Sequence, residues 1–339
     1  MIKQLQCGLT AIALIAATAL TASPATAQQK SEISLSRQPG IFYMPSHIME
    51  KQKLIEKHAA SLGVSGVTTK WVTFSGGGAQ TDALLAGGVD ILNTGTGNLL
   101  LLWDRTRGGV KGIVATSAQP MTLISRDANI KSIRDFGPGD KIAVPTVKVS
   151  TQAIVLQIAA AEAFGADQWS KLDANTVQLG HPDAYAALAN PKHEVHTHFS
   201  IPPFTFLELK NVPGAHVVLS SPDVMGGPLS QAQFFTTTKF ADANPKIVQA
   251  VRDATKEAHD LIRSDTKTAV EIYKEITGDK TSADDLLAWL KEPGMMEWNL
   301  QPQGTMKFAA HLFKVGTLKT MPKAFTDYYL PVAHDLKGN

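Results

Sequence analysis

The chain contains almost no cysteine, because Cys7 is its single thiol among 339 residues. Cys7 lies near the start, so everything that follows it lacks thiols altogether. Disulfides, iron–sulfur clusters, cysteine–zinc sites and cysteine nucleophiles are therefore excluded for the rest of the chain. Its core must be held together by packing and hydrogen bonding alone.

An excess of charge of one sign is also missing. The chain has 32 Lys and Arg residues against 30 Asp and Glu residues, which gives a formal net charge of +2. This balance gives no indication of nucleic acid or a membrane surface as a partner. Beyond the N-terminus, no apolar run reaches the ~20 residues that span a bilayer. We therefore expect a monomer that is not embedded in a membrane and binds no nucleic acid.

The first 27 residues have the pattern of a secretory signal. Lys3 precedes an apolar run from Gly8 to Leu20, and Ala25-Thr26-Ala27 supplies a small-x-small cleavage site. The run is too short to span a bilayer, and Cys7 precedes it, which is the wrong place for a lipid-modified N-terminus. We predict export to the periplasm, with cleavage after Ala27.

Downstream of the signal, short runs rich in Val, Ile, Thr and Phe alternate with longer helical patterns. This alternation is typical of βαβ units around open, mostly parallel sheets. Predicted strands are Ile33–Gln38, Thr68–Phe74, Val89–Thr94, Lys111–Ser117, Lys141–Val144, Thr176–Leu179, His196–Phe199, Ala215–Leu219 and Gln233–Thr238. Predicted helices are Pro45–Leu62, Gly78–Ala86, Asn98–Arg107, Thr151–Phe164, Ala184–Ala189, Pro245–Ser264, Lys267–Thr277, Ala283–Lys291 and Thr305–Val315.

The last predicted strand decides the domain organisation. A chain of this length exceeds one compact core, so two lobes are expected. If Gln233–Thr238 returns to the first sheet, the chain crosses between lobes twice, near residues 118–122 and 224–229. Paired crossings form a hinge and place a ligand cleft between the lobes. The sequence therefore predicts an α/β protein in which residues 28–118 and 229–339 form lobe 1 and residues 119–228 form lobe 2.

Two glycine-rich loops lie where ligands bind in open α/β sheets, beyond the carboxyl ends of strands. The segments Ser75-Gly76-Gly77-Gly78 and Thr94-Gly95-Thr96-Gly97 each lead into a predicted helix. Backbone N–H groups and the helix dipole attract oxygen-bearing ligands there. Neither loop has the dinucleotide or Walker A phosphate-loop pattern, so nucleotide binding is not indicated. Tight turns without a ligand remain the alternative.

Three further segments supply candidate side chains. Arg37 lies at the end of the first predicted strand, where its guanidinium either binds a sulfonate, carboxylate or nitrate or forms an ion pair between elements. Ser150 and Thr151 either cap the helix that follows them or contact the ligand. The histidines around His198 have no helical pair and no carboxylate partner in the pattern, so a zinc site is not predicted.

Together these segments give one predicted ligand-binding set. Since Arg37 and Lys148 are both assigned to the edge of the cleft, we expect that cleft to be weakly basic and to bind an anionic or strongly polar solute. The predicted ligand-binding residues are Arg37, Gln38, Phe42, Tyr43, Ser75, Gly76, Gly77, Thr94, Gly95, Thr96, Lys148, Ser150, Thr151 and His198.

The order of these segments resembles the nitrate/sulfonate/taurine and thiamine-precursor group of periplasmic substrate-binding proteins. The matching pieces are the loop with Gln38, the turn Ser75–Gly78 with the run 83–91 after it, the turn Thr94–Gly97, the run 141–145 and the helix start at Thr151. The resemblance implies a two-lobed, type II periplasmic-binding-protein-like fold without a cofactor. It also implies delivery of one small solute to the permease subunits of an ABC transporter.

The second lobe departs from that group. Its members often carry a Gly-Asp-x-Asp-Ala stretch followed by an aromatic residue and Pro, whereas residues 189–204 of this chain read differently. This departure leaves the solute open among a sulfonate such as taurine, nitrate, and a small aromatic or pyrimidine compound.

Two other functions share the expected fold. A thiamine-pyrimidine-synthase-like enzyme would carry a cysteine-rich motif, which this chain lacks, and neither a Gly-x-Ser-x-Gly elbow nor a His-Glu-x-x-His helix occurs. We therefore expect no enzyme and no catalytic residues. A ligand-sensing receptor for a signalling partner would have the same lobes and stays open.

Overall fold

The computed structural model describes residues 30–339, so the predicted secretory signal and its cleavage site lie outside the described residues. The N-terminal part alternates strands and helices. Its elements are β1 (Glu32–Arg37), α1 (Met44–Lys51), α2 (Leu54–Ser61), β2 (Thr68–Thr73), α3 (Gly77–Leu85), β3 (Ile91–Gly95), α4 (Thr96–Arg105) and β4 (Val110–Ser117).

The middle of the chain repeats this alternation with shorter elements. They are β5 (Thr122–Ser125), β6 (Lys141–Val144), α5 (Thr151–Phe164), β7 (Thr176–Gln178), α6 (His181–Ala189), β8 (Val195–Ser200), α7 (Phe204–Asn211), β9 (His216–Ser220) and α8 (Ser221–Met225). The last part has one strand and is otherwise helical. It contains β10 (Ala232–Thr237), α9 (Thr238–Ala243), α10 (Pro245–Ser264), α11 (Thr266–Thr277), α12 (Ala283–Trp289) and α13 (Thr305–Lys314).

The strands form two five-stranded sheets, with orders β2-β1-β3-β10-β4 and β7-β6-β8-β5-β9. Both sheets are mixed. In the first, β10 runs antiparallel to β3 and β4, while β1 is parallel to β2 and β3. In the second, β5 runs antiparallel to β8 and β9, while β6 is parallel to β7 and β8. The predicted α/β class is confirmed, with one reversed strand in each sheet.

The chain passes between the sheets twice. The first passage joins β4 to β5 and the second joins β9 to β10, so β10 returns to the first sheet as predicted. The C-terminal region contacts both halves. Lys307 of α13 donates hydrogen bonds to the carbonyl oxygens of Val224 and Met225, 3.1 and 2.9 Å away, in the segment between β9 and β10. Among residues 30–339, no helix combines the length and apolar character needed to cross a membrane.

Two large groups of buried apolar side chains form the core. One lies on the outer side of the first sheet, under α1, α2, α10 and α11. The other runs from α4 into the second sheet, and includes Leu99, Ile154 and Phe199. Because this second group is continuous across both sheets, the two halves are packed against each other in the structure.

Several predicted elements are wrong in detail. The single helix Pro45–Leu62 is two helices, because Lys53 adopts a left-handed φ of 50° between them. The helix predicted from Ala184 starts earlier, at His181, with Pro182 in its first turn. Four elements were not predicted: the buried four-residue strand β5 and the short helices α7, α8 and α9.

Candidate ligand-binding site

The loops after the strands of the first sheet face the loops of the second sheet. In the loop that follows β1, the Ile41 N–H donates to the carbonyl oxygen of Pro202 at 3.0 Å. After β2, at the start of α3, the Gly78 N–H donates to the Thr146 hydroxyl at 3.3 Å. The carboxyl ends of the strands in both sheets therefore meet at one boundary, where the sequence predicts the cleft.

Glycines make this close approach of the two sides possible. A Cβ atom added at Gly76 would lie 2.8 Å from the carbonyl oxygen of Pro145, and one at Gly95 would lie 2.6 Å from the Thr151 hydroxyl. At Gly97 the added atom would lie 2.3 Å from the carbonyl oxygen of Val149. Since real Cβ contacts are longer than this, any side chain at these positions would force the two halves apart.

Four helices begin at this boundary, two from each side. Helices α3 and α4 start after Gly76 and Gly95, while α5 and α6 start after Ser150 and Gly180. The start of α6 belongs to the boundary because a Cβ at Gly180 would lie 3.0 Å from the carbonyl oxygen of Ser75. Each helix N-terminus carries about half a positive charge and free N–H donors. The boundary is therefore suited to an anion or a strongly polar solute.

Several polar atoms at and near this boundary are buried without a hydrogen-bond partner among the described residues. They are the hydroxyls of Thr151, Ser200 and Ser117 and the amide oxygens of Gln119 and Gln231. A buried polar group left unpaired costs about 1–3 kcal/mol. Atoms of this kind are the ones that a polar solute can satisfy on binding.

These unpaired atoms include residues that the sequence analysis missed. Ser117 ends β4, Gln119 lies in the first passage between the sheets, and Gln231 immediately precedes β10. Ser200 ends β8 and is followed by the loop that contacts Ile41. The sequence could have indicated these four residues, because all of them lie at strand ends or in the passages between the sheets.

The structure brings several predicted residues of the first sheet together. The Gln38 amide donates to Gln80 at 2.9 Å and to the Thr94 hydroxyl at 2.6 Å, and all three side chains are buried. A Cβ at Gly77 would lie 2.8 Å from the same Thr94 hydroxyl. Gln38, Gly77 and Thr94 thus form one supporting network at the ends of β1 and β3.

Other predicted ligand-binding residues already have hydrogen-bond partners or lie in the core. The Thr96 hydroxyl donates to the carbonyl oxygen of Ser230 and accepts from the Gln233 amide at 2.6 Å. Phe42 and Tyr43 are buried in the core, and burial raises the pKa of the Tyr43 hydroxyl. Ser75 is exposed, and its carbonyl oxygen faces Gly180.

The two cations expected at the cleft edge lie in different surroundings. The Arg37 guanidinium stands 2.5 Å from the Glu50 carboxylate and 5.4 Å from the centre of the Trp71 ring, so its charge is balanced within the first half. Lys148 is exposed. Burial raises the pKa of Asp173, and the charge of Lys148 opposes that shift. The residues named above as contacts across the boundary are uncharged. Asp183, in the first turn of α6, places a carboxylate oxygen 3.6 Å from a Cβ added at Gly180, so the boundary also carries an acidic side chain.

His198 is enclosed rather than free. Its Nδ1 lies 2.5 Å from Glu208 Oε1, and its Nε2 lies 2.8 Å from His181 Nδ1. The prediction that these histidines lack a carboxylate partner is therefore wrong for His198. Glu208 was missed because helix α7, which carries it, was not predicted. Both ring nitrogens of His198 have hydrogen-bonding partners within the second half, so this side chain is not free to bind a ligand.

Among residues 30–339, one group of side chains could hold a metal ion. Asp127, Asp140 and His196 place ligand atoms within 4.8 Å of one another, with His196 Nε2 3.2 Å from Asp140 Oδ1. They lie at the end of the second sheet opposite Ser200, since His196 is the second residue of the strand that Ser200 ends. This group is separate from the boundary between the sheets.

Comparison with solved structures finds the same fold in transport proteins. The alkanesulfonate-binding protein from Xanthomonas axonopodis pv. citri bound to MOPS gives a TM-score of 0.68 at 17% identity, covering 92% of this chain and 99% of that chain. The periplasmic aliphatic sulphonate-binding protein from Escherichia coli gives 0.60 at 18% identity, covering 86% and 95%. The periplasmic nitrate-binding protein from Synechocystis PCC 6803 gives 0.64 at 14% identity, covering 90% and 83%.

No protein-family model matches the chain, and no curated protein matches its sequence. The structural likeness nevertheless extends over most of each neighbour. At these identities it establishes the fold. The expectation drawn from the sequence resemblance is confirmed at that level, because the chain has the periplasmic-binding-protein fold seen in sulfonate- and nitrate-binding proteins.

Proposed function

We propose that this chain is the periplasmic substrate-binding protein of an ABC importer. It captures one small anionic or polar solute between its two halves and delivers that solute to the permease subunits. The observation that carries the proposal is the convergence of four helix N-termini, two from each half, on a boundary with buried unpaired hydroxyls. The structural neighbours support it, since their names describe sulfonate- and nitrate-binding proteins.

Residues 28–118 and 229–339 form one lobe in this proposal, and residues 119–228 form the other. The two passages between the sheets act as the hinge. A solute that touches both lobes favours the closed arrangement by its higher affinity for that state. The transporter then recognises the loaded, closed form.

The solute is held mainly by backbone N–H groups and uncharged side chains. We assign direct contacts to the loops at Gly76 and Gly95, to the hydroxyls of Thr151 and Ser200, and to Gln231. Of the residues predicted from the sequence, Gln38, Gly77 and Thr94 support these loops. Donors of this kind fit the oxygen atoms of a sulfonate, a nitrate or a carboxylate. A solute of about ten heavy atoms reaches micromolar affinity with such contacts.

The test uses the purified chain from residue 28 onward. Thermal-shift measurements against taurine, ethanesulfonate, nitrate, small carboxylates and pyrimidines should show a higher melting temperature for at least one compound. Neutral sugars and cationic peptides are the matched controls. A response confined to those controls would contradict the assignment of an anionic solute. Fractionation of the producing cell should place the processed chain, as a monomer, in the periplasm.

A further inference from the structure

Asp127, Asp140 and His196 are brought together by three neighbouring strands of the second sheet. Asp127 lies two residues after the end of β5, Asp140 immediately precedes β6, and His196 is the second residue of β8. These strands are adjacent in the sheet, in the order β6-β8-β5. The Arg126 N–H donates to the carbonyl oxygen of His196 at 3.0 Å, which continues the pairing of β5 with β8 as far as these side chains. The paired strands therefore set the relative positions of the three residues.

This group lies far from the boundary between the sheets. Ser200, at the other end of β8, is four residues beyond His196, which is about 13 Å at the ordinary rise of a strand. A ligand held by the three residues is therefore separate from a solute held at the boundary. The group was not predicted from the sequence, because both aspartates lie far from His196 along the chain.

The surrounding chain holds the ligand side chains in place. Asp127 Oδ1 accepts from the backbone N–H of Asn129 at 2.9 Å and from its side-chain amide at 3.1 Å. Asp140 Oδ2 accepts from the Gly137 N–H at 2.6 Å. The Nδ1 atom of His196 lies 3.3 Å from the hydroxyl of the residue that follows it. Outer contacts of this kind orient the ligands of metal sites.

The spacing of the ligand atoms fits one zinc ion. Zinc lies about 2.1 Å from nitrogen and oxygen ligands in a tetrahedral site, so two such ligand atoms are roughly 3.4 Å apart. Asp140 Oδ1 and His196 Nε2 are 3.2 Å apart. The Asp127 ligand atom lies within 4.8 Å of both, so it has to approach by at most about 1.4 Å. All three side chains are half-buried, so water can reach the ion as a fourth ligand.

Charge also favours a cation at this place. Among residues 30–339, neither carboxylate forms an ion pair with a lysine or an arginine. The neighbouring Arg126 guanidinium instead donates to the carbonyl oxygen of His193 at 2.7 Å. An imidazole nitrogen together with two carboxylates suits a transition cation such as zinc, whereas calcium and magnesium prefer ligand sets made of oxygen alone.

We propose that Asp127, Asp140 and His196 form a zinc site that links β5, β6 and β8 at the end of the second sheet away from the boundary. The ion binds the folded chain, in which the three ligands are together, and so stabilises the second half. This inference goes beyond solute capture, and its outcome does not depend on which solute is bound.

Titration calorimetry with zinc chloride tests the site in the chain from residue 28 onward, without a histidine tag and after treatment with a chelator. One zinc ion per chain should bind, and calcium should bind at least about 100-fold more weakly. Zinc at 100 times its Kd should raise the melting temperature by about 4 °C. Absence of saturable zinc binding would overturn the proposal, and calcium binding as tight as zinc binding would overturn the class of ion.

Two substitutions locate the ion. His196→Gln and Asp127→Asn should each weaken zinc binding at least about 100-fold, since even outer contacts of a metal site are worth about 10–100-fold. Asp167→Asn, an exposed position in the same half, is the matched control and should leave zinc binding unchanged. Binding that survives both substitutions would be adventitious and would overturn the proposal. Anomalous scattering at the zinc edge from crystals of the unmodified protein decides the question even if a variant does not fold. It should place the ion between Asp140 and His196, and a zinc peak only at other positions would refute the site.

Discussion

Replacing Gly97 with alanine should hinder closure of the two halves without lowering the stability of the fold. Gly97 is the second residue of α4, where alanine is favoured over glycine by about 1 kcal/mol. In the structure, however, the new Cβ would lie 2.3 Å from the carbonyl oxygen of Val149 and 2.9 Å from Ile154 Cδ1, both on the opposite side of the boundary. The substitution is therefore accepted by the helix and opposed by the closed state alone.

The size of the effect follows from the overlap. Crowding of this kind costs about 1–3 kcal/mol, which corresponds to roughly five- to 150-fold weaker solute binding. Titration calorimetry with the solute identified by thermal shift measures the affinity, and X-ray scattering measures whether the protein still becomes more compact on binding. Gly139→Ala is the control, because no atom lies within 4 Å of a Cβ there. Unchanged affinity with an intact fold would refute closure over this boundary.

Three further substitutions probe the site and the core. Thr151→Ala combined with Ser200→Ala should weaken solute binding about tenfold without lowering stability, since neither hydroxyl is paired within the described residues; a lower urea midpoint would contradict this assignment. Arg37→Met should lower the free energy of unfolding by about 1–3 kcal/mol by leaving Glu50 unpaired, with unchanged solute affinity. A marked loss of affinity would instead place the guanidinium in the site. Burial lowers the pKa of His259 to about 3, and its Nε2–H donates a 2.8 Å hydrogen bond to the Thr116 carbonyl oxygen. The imidazole takes up a proton near pH 6.5 in the unfolded chain but stays neutral in the folded chain, so the free energy of unfolding should fall by about 1 kcal/mol between pH 6.5 and pH 5.5. His259→Gln should remove one proton from that slope in urea melts at the two pH values, and an unaltered slope would be inconsistent with a buried neutral histidine.

The order of strands and helices was largely predictable, because each long element has a clear apolar period. The glycine loops and the return of β10 to the first sheet followed from the same patterns. The predictions that were wrong concern features that tertiary contacts determine. The break between α1 and α2 is made by a left-handed Lys53, a residue that carries no turn signal. Strand β5 has only four residues, too few to show a period.

The site was predictable in its backbone and less so in its side chains. Three of the four helices at the boundary start after a glycine and α5 starts after Ser150. The start of α6 at His181 was nevertheless predicted three residues too late. The partner of Arg37 is Glu50, which reaches it only because α1 packs beside β1. His198 likewise finds Glu208 through a helix that the sequence did not indicate. Such pairings are set by packing, and a linear pattern carries no information about them.

The central place of β10 in the first sheet has a consequence for the order of folding. Its neighbours β3 and β4 are made early, yet they cannot be joined until Ala232–Thr237 has been synthesised. Closing so long a loop is slow, whereas the second sheet is built from one continuous stretch and has no such delay. Strand β4 thus has no strand partner until most of the chain exists, whereas β1, β2 and β3 can pair with one another before β10 is made.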